Sequence, residues 1–175
     1  GMALVLKAKR PGAKNSMAIG IDLVKRGEAQ AFVTMGNTGA ASVTAYFRLG
    51  TIPGVDRPAL APTLPNETGA AVLVDVGANP DCKPRNLLEF ALMGSEYAAR
   101  VRGVVKPRVG LVSNGEEAGK GNQLVKDSYP LLAASGLNFV GNVEAKEFYH
   151  GDVDVAVTDG FTGNVLLKTS ESVAK

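Results

Sequence analysis

The chain has no tryptophan, and aromatic residues make up only 6% of its 175 positions. Base stacking on aromatic side chains, the usual grip on single-stranded nucleic acid, has little to work with here, and no nucleic-acid partner is expected. A single cysteine, Cys82, permits no internal disulfide and suits a reducing cytoplasm. Cys82 and the sole histidine, His150, give no repeated ligand pattern for zinc and no evident Cys–His pair for nucleophilic attack. Cys82 reads as an incidental thiol in a turn, and His150 as a surface residue in a polar connection beside Gly151. No apolar run reaches ~18 residues and no secretory leader pattern is present, so neither a spanning helix nor export is expected. Charge of one sign is also scarce: the formal net charge is +2 and the pI about 8.7. The one local excess, "KAKRPGAK" (7–14), reads as a solvated segment, with an anionic partner as the alternative.

Two nucleotide signatures are missing as well. "GEEAGKGN" (115–122) contains Gly-Lys, but only three residues separate Gly115 from Gly119, and Gly121 stands where a P-loop needs Ser or Thr. No Gly-x-Gly-x-x-Gly run follows a strand, so the dinucleotide fingerprint is absent too. No cofactor and no metal is called for.

Glycine, by contrast, is plentiful: 21 residues, about 12% of the chain against a usual ~7%. The glycines gather where apolar runs hand over to helical patterns, at "VTMGNTGAA" (33–41), "VDVGANP" (74–80), "VSNGEEAGKGNQ" (112–123) and "TDGFTGNVLLKT" (158–169). Around them, helices are expected from Asn15 or Ser16 to Arg26, over "TGAASVTAYFRLG" closed by Gly50, from Pro84 to about Arg102, from about Asn122 to Ala134, and from near Thr162 onward. In the helix that Pro84 opens, Leu88, Leu92 and Ala99 are the expected buried face. Strands are expected at "AQAFVT" (29–34), "AAVLVDV" (70–76), "RVGLVS" (108–113), "NFVGNV" (138–143) and "DVAVTD" (154–159). The segment 51–66 carries four prolines and reads as an extended connection or an edge strand. Alternating apolar strands and helices mean a single α/β unit: a mostly parallel sheet covered on both faces, in three αβα layers.

Ligands of open parallel sheets bind beyond the carboxyl ends of the strands, and all four glycine-rich turns fall at that edge. They are expected to form the walls of one site. Glycine admits a ligand to the backbone, helix N-termini offer N–H donors to an anion, and Asn or Thr completes the cradle. The plainer alternative is that glycine makes tight turns and asparagine caps helices. The chemical inventory at this edge is Lys120 between two glycines, Glu116 and Glu117 before it, Asn114 and Asn122 on either side, and Asp75 and Asp159 at strand ends. Such a set suits an anion held by amides and one lysine. It is equally compatible with a surface ion pair between Lys120 and Glu116 or Glu117.

At these residues the sequence resembles the PlsX-type phosphate acyltransferases of bacterial phospholipid synthesis. The runs that carry the resemblance are "AFVTMGNTGA", "GVDRPALAPTLP", "LVDVGANPDCKP", "FALMGSEYA", "RVGLVSNGEEAGKGN", "FVGNVEA" and "DVAVTDGFTGNVLLKT", in the family's order and spacing. The resemblance implies transfer of a fatty acyl group from acyl carrier protein to inorganic phosphate. It implies a fold like that of isocitrate and isopropylmalate dehydrogenases and of phosphate acetyltransferases, a homodimer, and a cytoplasmic protein with peripheral membrane contact. Both thioester and acyl phosphate are activated, so the missing P-loop is no obstacle. By resemblance, Lys120 is the catalytic lysine, and Asp159, at a strand end, is the second catalytic candidate. Asn37, Thr38, Gly39, Asn79, Asn114, Glu116, Glu117, Asn122, Asn142, Glu144, Gly160, Thr162, Gly163 and Asn164 are the phosphate- and substrate-binding candidates. Relatives begin with an Asp-Ala-Met-Gly-Gly-Asp turn and continue past the last helix, so the chain matches the central half of such a protein. Two other functions stay open: a phosphotransacetylase-like enzyme using acyl-coenzyme A, and a binding fragment without turnover.

Overall fold

The computed structural model describes residues 15–174, and the basic run 7–14 lies outside them. The chain forms two compact units that divide between Pro58 and Ala59.

In the first unit, helix α1 (Ser16–Lys25) starts where Asn15 accepts the Ala18 N–H at 2.9 Å. That bond satisfies one of the orphan donors of a helix N-terminus. Ala18 and Ile21 are its buried face. Helix α2 (Thr38–Leu49) repeats the device with Asn37, which accepts from Ala40 N–H, and it ends at Gly50 in a positive-φ conformation. Asp22 of α1 pairs with Arg48 of α2. The expected strand at 29–34 is a correction: the segment pairs with no strand among the described residues. Its apolar composition suggested a sheet, yet Val33 is 86% exposed and Met35 fully so, and a strand needs a neighbour to hold its ladder.

The second unit is an α/β sheet in the order β1-β2-β5-β3-β4. Its strands are β1 (Thr63–Asn66), β2 (Gly69–Val74), β3 (Arg108–Val112), β4 (Asn138–Val143) and β5 (Val155–Val157). Only β1 runs antiparallel; it is the proline-bearing edge strand, with Pro65 opposite Ala70. The rest are parallel, with Val72 against Val155, Val109 against Val155 and Val112 against Val143 in register. The ribbon of side chains sorts by pleat. Val72, Val74, Val155 and Val157 pack into one core cluster, while Ala71, Leu73 and Ala156 pack into another.

Helices α3 (Pro84–Arg102) and α4 (Gln123–Ala133) cover the first cluster through Leu87, Phe90, Ala91, Ala98, Val125 and Leu132. Helices α5 (Ala145–His150) and α6 (Gly160–Val173) cover the second through Phe148, Leu166 and Leu167. Burying Leu87 and Phe90 completely contributes about 1.5–3 kcal/mol each. The buried face of α3 is therefore Leu87, Phe90, Ala91, Gly94 and Ala98; of the expected Leu88, Leu92 and Ala99, Leu88 is half-buried against the same cluster and Leu92 is exposed. The two stripes are neighbours on the helix, and Gly94 decides between them. A Cβ there would come within 2.7 Å of Val155 and 3.2 Å of Val74, so the helix lies against the sheet along its glycine side. The short α5 falls in what the sequence suggested was a polar connection, and His150 sits exposed in its last turn.

Candidate active site

All four parallel strands end at one edge, and the segments that follow them build the site from the second unit's own residues. After β2, Asp75 is fully buried. Its carboxylate accepts N–H groups of Leu60 at 2.9 Å, Ala78 at 3.2 Å and Asn79 at 2.7 Å, and the Asn79 side-chain amide at 3.0 Å. Four donors on one carboxylate replace the water it gave up, and they wind residues 75–79 into a compact loop.

After β5, Asp159 caps α6. Its Oδ1 accepts from the N–H groups of Phe161 and Thr162 at 3.0 and 2.9 Å, and its Oδ2 from the Thr162 hydroxyl at 2.8 Å. The 75–79 loop and this turn are locked together. Gly160 N–H donates to the Asn79 carbonyl at 2.8 Å, and the Asn164 side-chain amide donates to the Val76 carbonyl at 2.9 Å. A Cβ on Gly160 would lie 2.8 Å from both the Asn79 carbonyl oxygen and the Asp75 carboxylate. The close approach that Gly160 and Gly163 permit is thus of one backbone segment to another.

After β3, the segment from Ser113 to Asn122 forms the third wall. Asn114 Oδ1 accepts the Gly121 N–H at 2.9 Å, and Asn122 Oδ1 caps α4 through the Val125 N–H at 3.0 Å. Lys120 N–H donates to the Glu117 carbonyl at 2.9 Å. The lysine's aliphatic stem lies over Gly115, whose missing Cβ would meet Lys120 Cγ at 2.9 Å. Lys120 is exposed, and among the described residues no carboxylate lies within ion-pair distance of its ammonium.

Of its two expected partners, Glu116 is engaged by another lysine. Lys146 reaches Glu116 at 3.0 Å, Glu144 at 2.9 Å and Glu147 at 3.3 Å. Hydrogen bonds donated to Glu144, then to Glu116 and Glu147, hold the Lys146 ammonium well above its ordinary range. Burial pushes the Glu147 carboxyl up, but the Glu144 N–H and the Lys146 ammonium outweigh it, and the net shift is downward. The carboxylate oxygens of these three glutamates lie within 4.8 Å of one another, close enough for a metal, but an ammonium already bridges them.

Between the β3 and β5 walls lies a cavity of about 360 Å³ lined by Leu87, Ser113, Asn114, Gly121, Asn122, Asp159 and Thr162, among others. A second cleft of about 410 Å³ shares Asn122, Asp159 and Thr162 and extends over Asp81, Cys82 and Phe161. Two helix N-termini meet here with different consequences. The α6 amides are already taken by Asp159, so that end is neutralised from within. At α4, the Asn122 side chain accepts only Val125 N–H among the described residues, and the first-turn amides of Gln123 and Leu124 have no acceptor inside the helix. The positive end of the α4 dipole and Lys120 are the features that favour an anion.

Of the residues expected from sequence, Asn114, Asn122, Asp159 and Thr162 line the cavity, while Asn79, Gly160, Gly163 and Asn164 form the joint between its neighbouring loops. Glu116 and Glu144 belong to the Lys146 cluster, and Glu117 and Asn142 to the support of the Lys120 loop. Asn37, Thr38 and Gly39 lie in the first unit, where Asn37 caps α2. Ser113 was not anticipated. Its hydroxyl is buried without a hydrogen-bond partner among the described residues, and its position between an apolar strand end and an Asn-Gly turn was the available signal.

The comparisons with known proteins bear on both fold and chemistry. The model of the fatty acid synthesis protein family matches residues 3–175. A phosphate acyltransferase of Acidobacterium capsulatum is 53% identical over 97% of this chain and 50% of its own length. One from Aquifex aeolicus is 50% identical over 97% of this chain and 49% of its own length. The chain thus spans about half the length of the curated relatives it matches. Among solved structures, the EutD phosphotransacetylase of Staphylococcus aureus aligns with a TM-score of 0.67 at 19% identity, covering 99% of this chain and 63% of its own. A phosphotransacetylase of Streptococcus pyogenes aligns at 0.68 and 20% identity, covering 90% and 54%. At that identity the likeness is one of fold.

Proposed function

The chain belongs to the fatty acid synthesis protein family, and on that premise we propose that it takes part in phosphate acyl transfer. In this reading a fatty acyl group passes from the thioester of acyl carrier protein to inorganic phosphate, giving an acyl phosphate for phospholipid synthesis. A phosphate oxygen attacks the thioester carbon, the carbon–sulfur bond breaks, and the carrier's thiol leaves. No cofactor enters the balance.

The observation that carries the proposal is the unpaired Lys120 ammonium, one residue before Gly121 in the wall of the cavity. Lys120 precedes by two residues Asn122, the cap of α4, where the first-turn amides of Gln123 and Leu124 have no acceptor inside the helix. Donors of this kind hold a phosphate in the ground state and an oxyanion in the transition state. Asp159, in the opposite wall, is the second catalytic candidate. The wider reading is of a dehydrogenase-like three-layer fold acting as a cytoplasmic homodimer with peripheral membrane contact. No helix among the described residues is long and apolar enough to cross a membrane.

A second reading, transfer from acyl-coenzyme A, draws on the fold shared with the two phosphotransacetylases. Release of free thiol, followed with acyl carrier protein and with coenzyme A as acyl carriers, separates the two. Thiol release that requires phosphate and is faster from acyl carrier protein supports the proposal. Faster release from acyl-coenzyme A favours the second reading. Release from neither leaves a binding fragment without turnover.

A further inference from the structure

Asn142, at the end of β4, is 4% exposed, and its two side-chain polar atoms have unequal surroundings. Nδ2 donates to the Glu117 carbonyl at 2.8 Å, whereas Oδ1 is buried with no partner among the described residues. The same Glu117 carbonyl accepts the Lys120 N–H at 2.9 Å. One backbone oxygen therefore gathers two donors, one from the sheet and one from the residue that carries the free ammonium. Because only the NH2 group of an asparagine can face a carbonyl, this contact also settles the orientation of the amide.

The contact matters because the segment has little else to fix it. Residues 116–120 are all exposed and bury no apolar side chain. The other tie to the β4–α5 side is the Glu116–Lys146 ion pair, more than half exposed at both partners and worth little in water. A hydrogen bond from a buried side chain, part-shielded from water, is the stronger restraint.

We propose that Asn142 is a positioning residue for Lys120, acting through the Glu117 carbonyl and not by touching substrate. The inference rests on the reading of Lys120 as the group that meets phosphate. Asn142 fixes the turn from Glu117 to Lys120, and the Asn114–Gly121 bond fixes the residue that follows it.

Hydrogen exchange and kinetics test this together. Asn142→Ala should speed exchange of the Lys120 amide about tenfold while Leu111 and Val157 in the sheet stay protected. In phosphate-dependent acyl transfer it should lower kcat about tenfold with KM for phosphate within about twofold, and it should cost less than about twofold when added to Lys120→Ala. Asn142→Asp, which keeps the shape and loses the donor, serves the same purpose should the alanine variant not fold. In the wild-type chain one Asn142 side-chain N–H should itself be protected. An unchanged Lys120 amide, a fully exchanging Asn142 side chain, or losses that multiply in the double variant would each overturn the proposal. Absence of acyl transfer in the wild-type chain would leave the binding-fragment reading of the function, while the exchange data would still decide whether Asn142 holds the Lys120 loop.

Discussion

Gly163 stands against the backbone of Asp75: a Cβ at position 163 would come within 1.9 Å of the Asp75 carbonyl oxygen. The neighbour is main chain, held by the Asp75 N–H bond to Thr158 at 3.0 Å, so it has no flexible end to swing away. Gly163→Ala should therefore cost about 3 kcal/mol in overpacking, against about 1 kcal/mol gained from alanine's helix propensity. The net loss of about 2 kcal/mol should show as a lower denaturant midpoint. An unchanged or higher midpoint would mean that the two turns are not packed this way.

Lys120→Ala should separate chemistry from folding. The side chain is exposed and buries no core surface, so the melting temperature should move by no more than a degree or two, as for surface changes of up to about 0.5 kcal/mol. Loss of one preorganised charge at a developing oxyanion typically costs about 100-fold in turnover or more. Phosphate-dependent thiol release within about threefold of wild type would remove Lys120 from the mechanism.

What the sequence disclosed and what it hid divide along physical lines. The strands "AAVLVDV" and "DVAVTD" were legible because they are buried on both faces and need continuous apolar side chains. The starts of α1, α2 and α4 were legible because Asn15, Asn37 and Asn122 cap within three residues of themselves. Long-range effects were hidden. The rotation of α3 depends on how Gly94 meets Val155, and the six-residue α5 has too short an apolar pattern to register. The same limit applied to the site. Glu116 looked like a partner for Lys120 from its place in the loop, but the ammonium that reaches it is Lys146, thirty positions along the chain. Asn142 was recognisable as a polar residue at a strand end, while its acceptor, the distant Glu117 carbonyl, was not.

Asp159 offers a test that pulls two roles apart. Asparagine caps a helix about as well as aspartate, so Asp159→Asn should leave stability within about 0.5 kcal/mol, whereas Asp159→Ala should cost about 1 kcal/mol. The carboxylate lines the cavity, and its negative charge opposes an anion there. In Asp159→Asn, inorganic phosphate should bind at least as tightly, while turnover should fall about tenfold or more if the charge takes part in the reaction. Equal turnover in wild type and Asp159→Asn, with a loss only in the alanine variant, would reduce Asp159 to a cap.

The last expectation concerns pH and the opposite end of the sheet. Asp154 accepts the Arg108 N–H at 2.8 Å and its guanidinium at 3.1 and 3.2 Å, tying the start of β3 to the residue before β5. Burial pushes the Asp154 carboxyl up, but the hydrogen bonds and charge of Arg108 outweigh it and hold the carboxyl below its ordinary range. A carboxyl depressed in the folded state stabilises the protein above its unfolded value, about 3.9, and that contribution disappears as pH falls through the folded value. Asp154→Asn should then melt lower than wild type at pH 7, and the gap should close progressively below about pH 4. A gap of constant size from pH 7 to pH 3 would show that the ionised carboxylate is not what Arg108 holds. Because this pair sits at the amino ends of the strands, away from the cavity, the same substitution should leave phosphate binding at pH 7 unchanged.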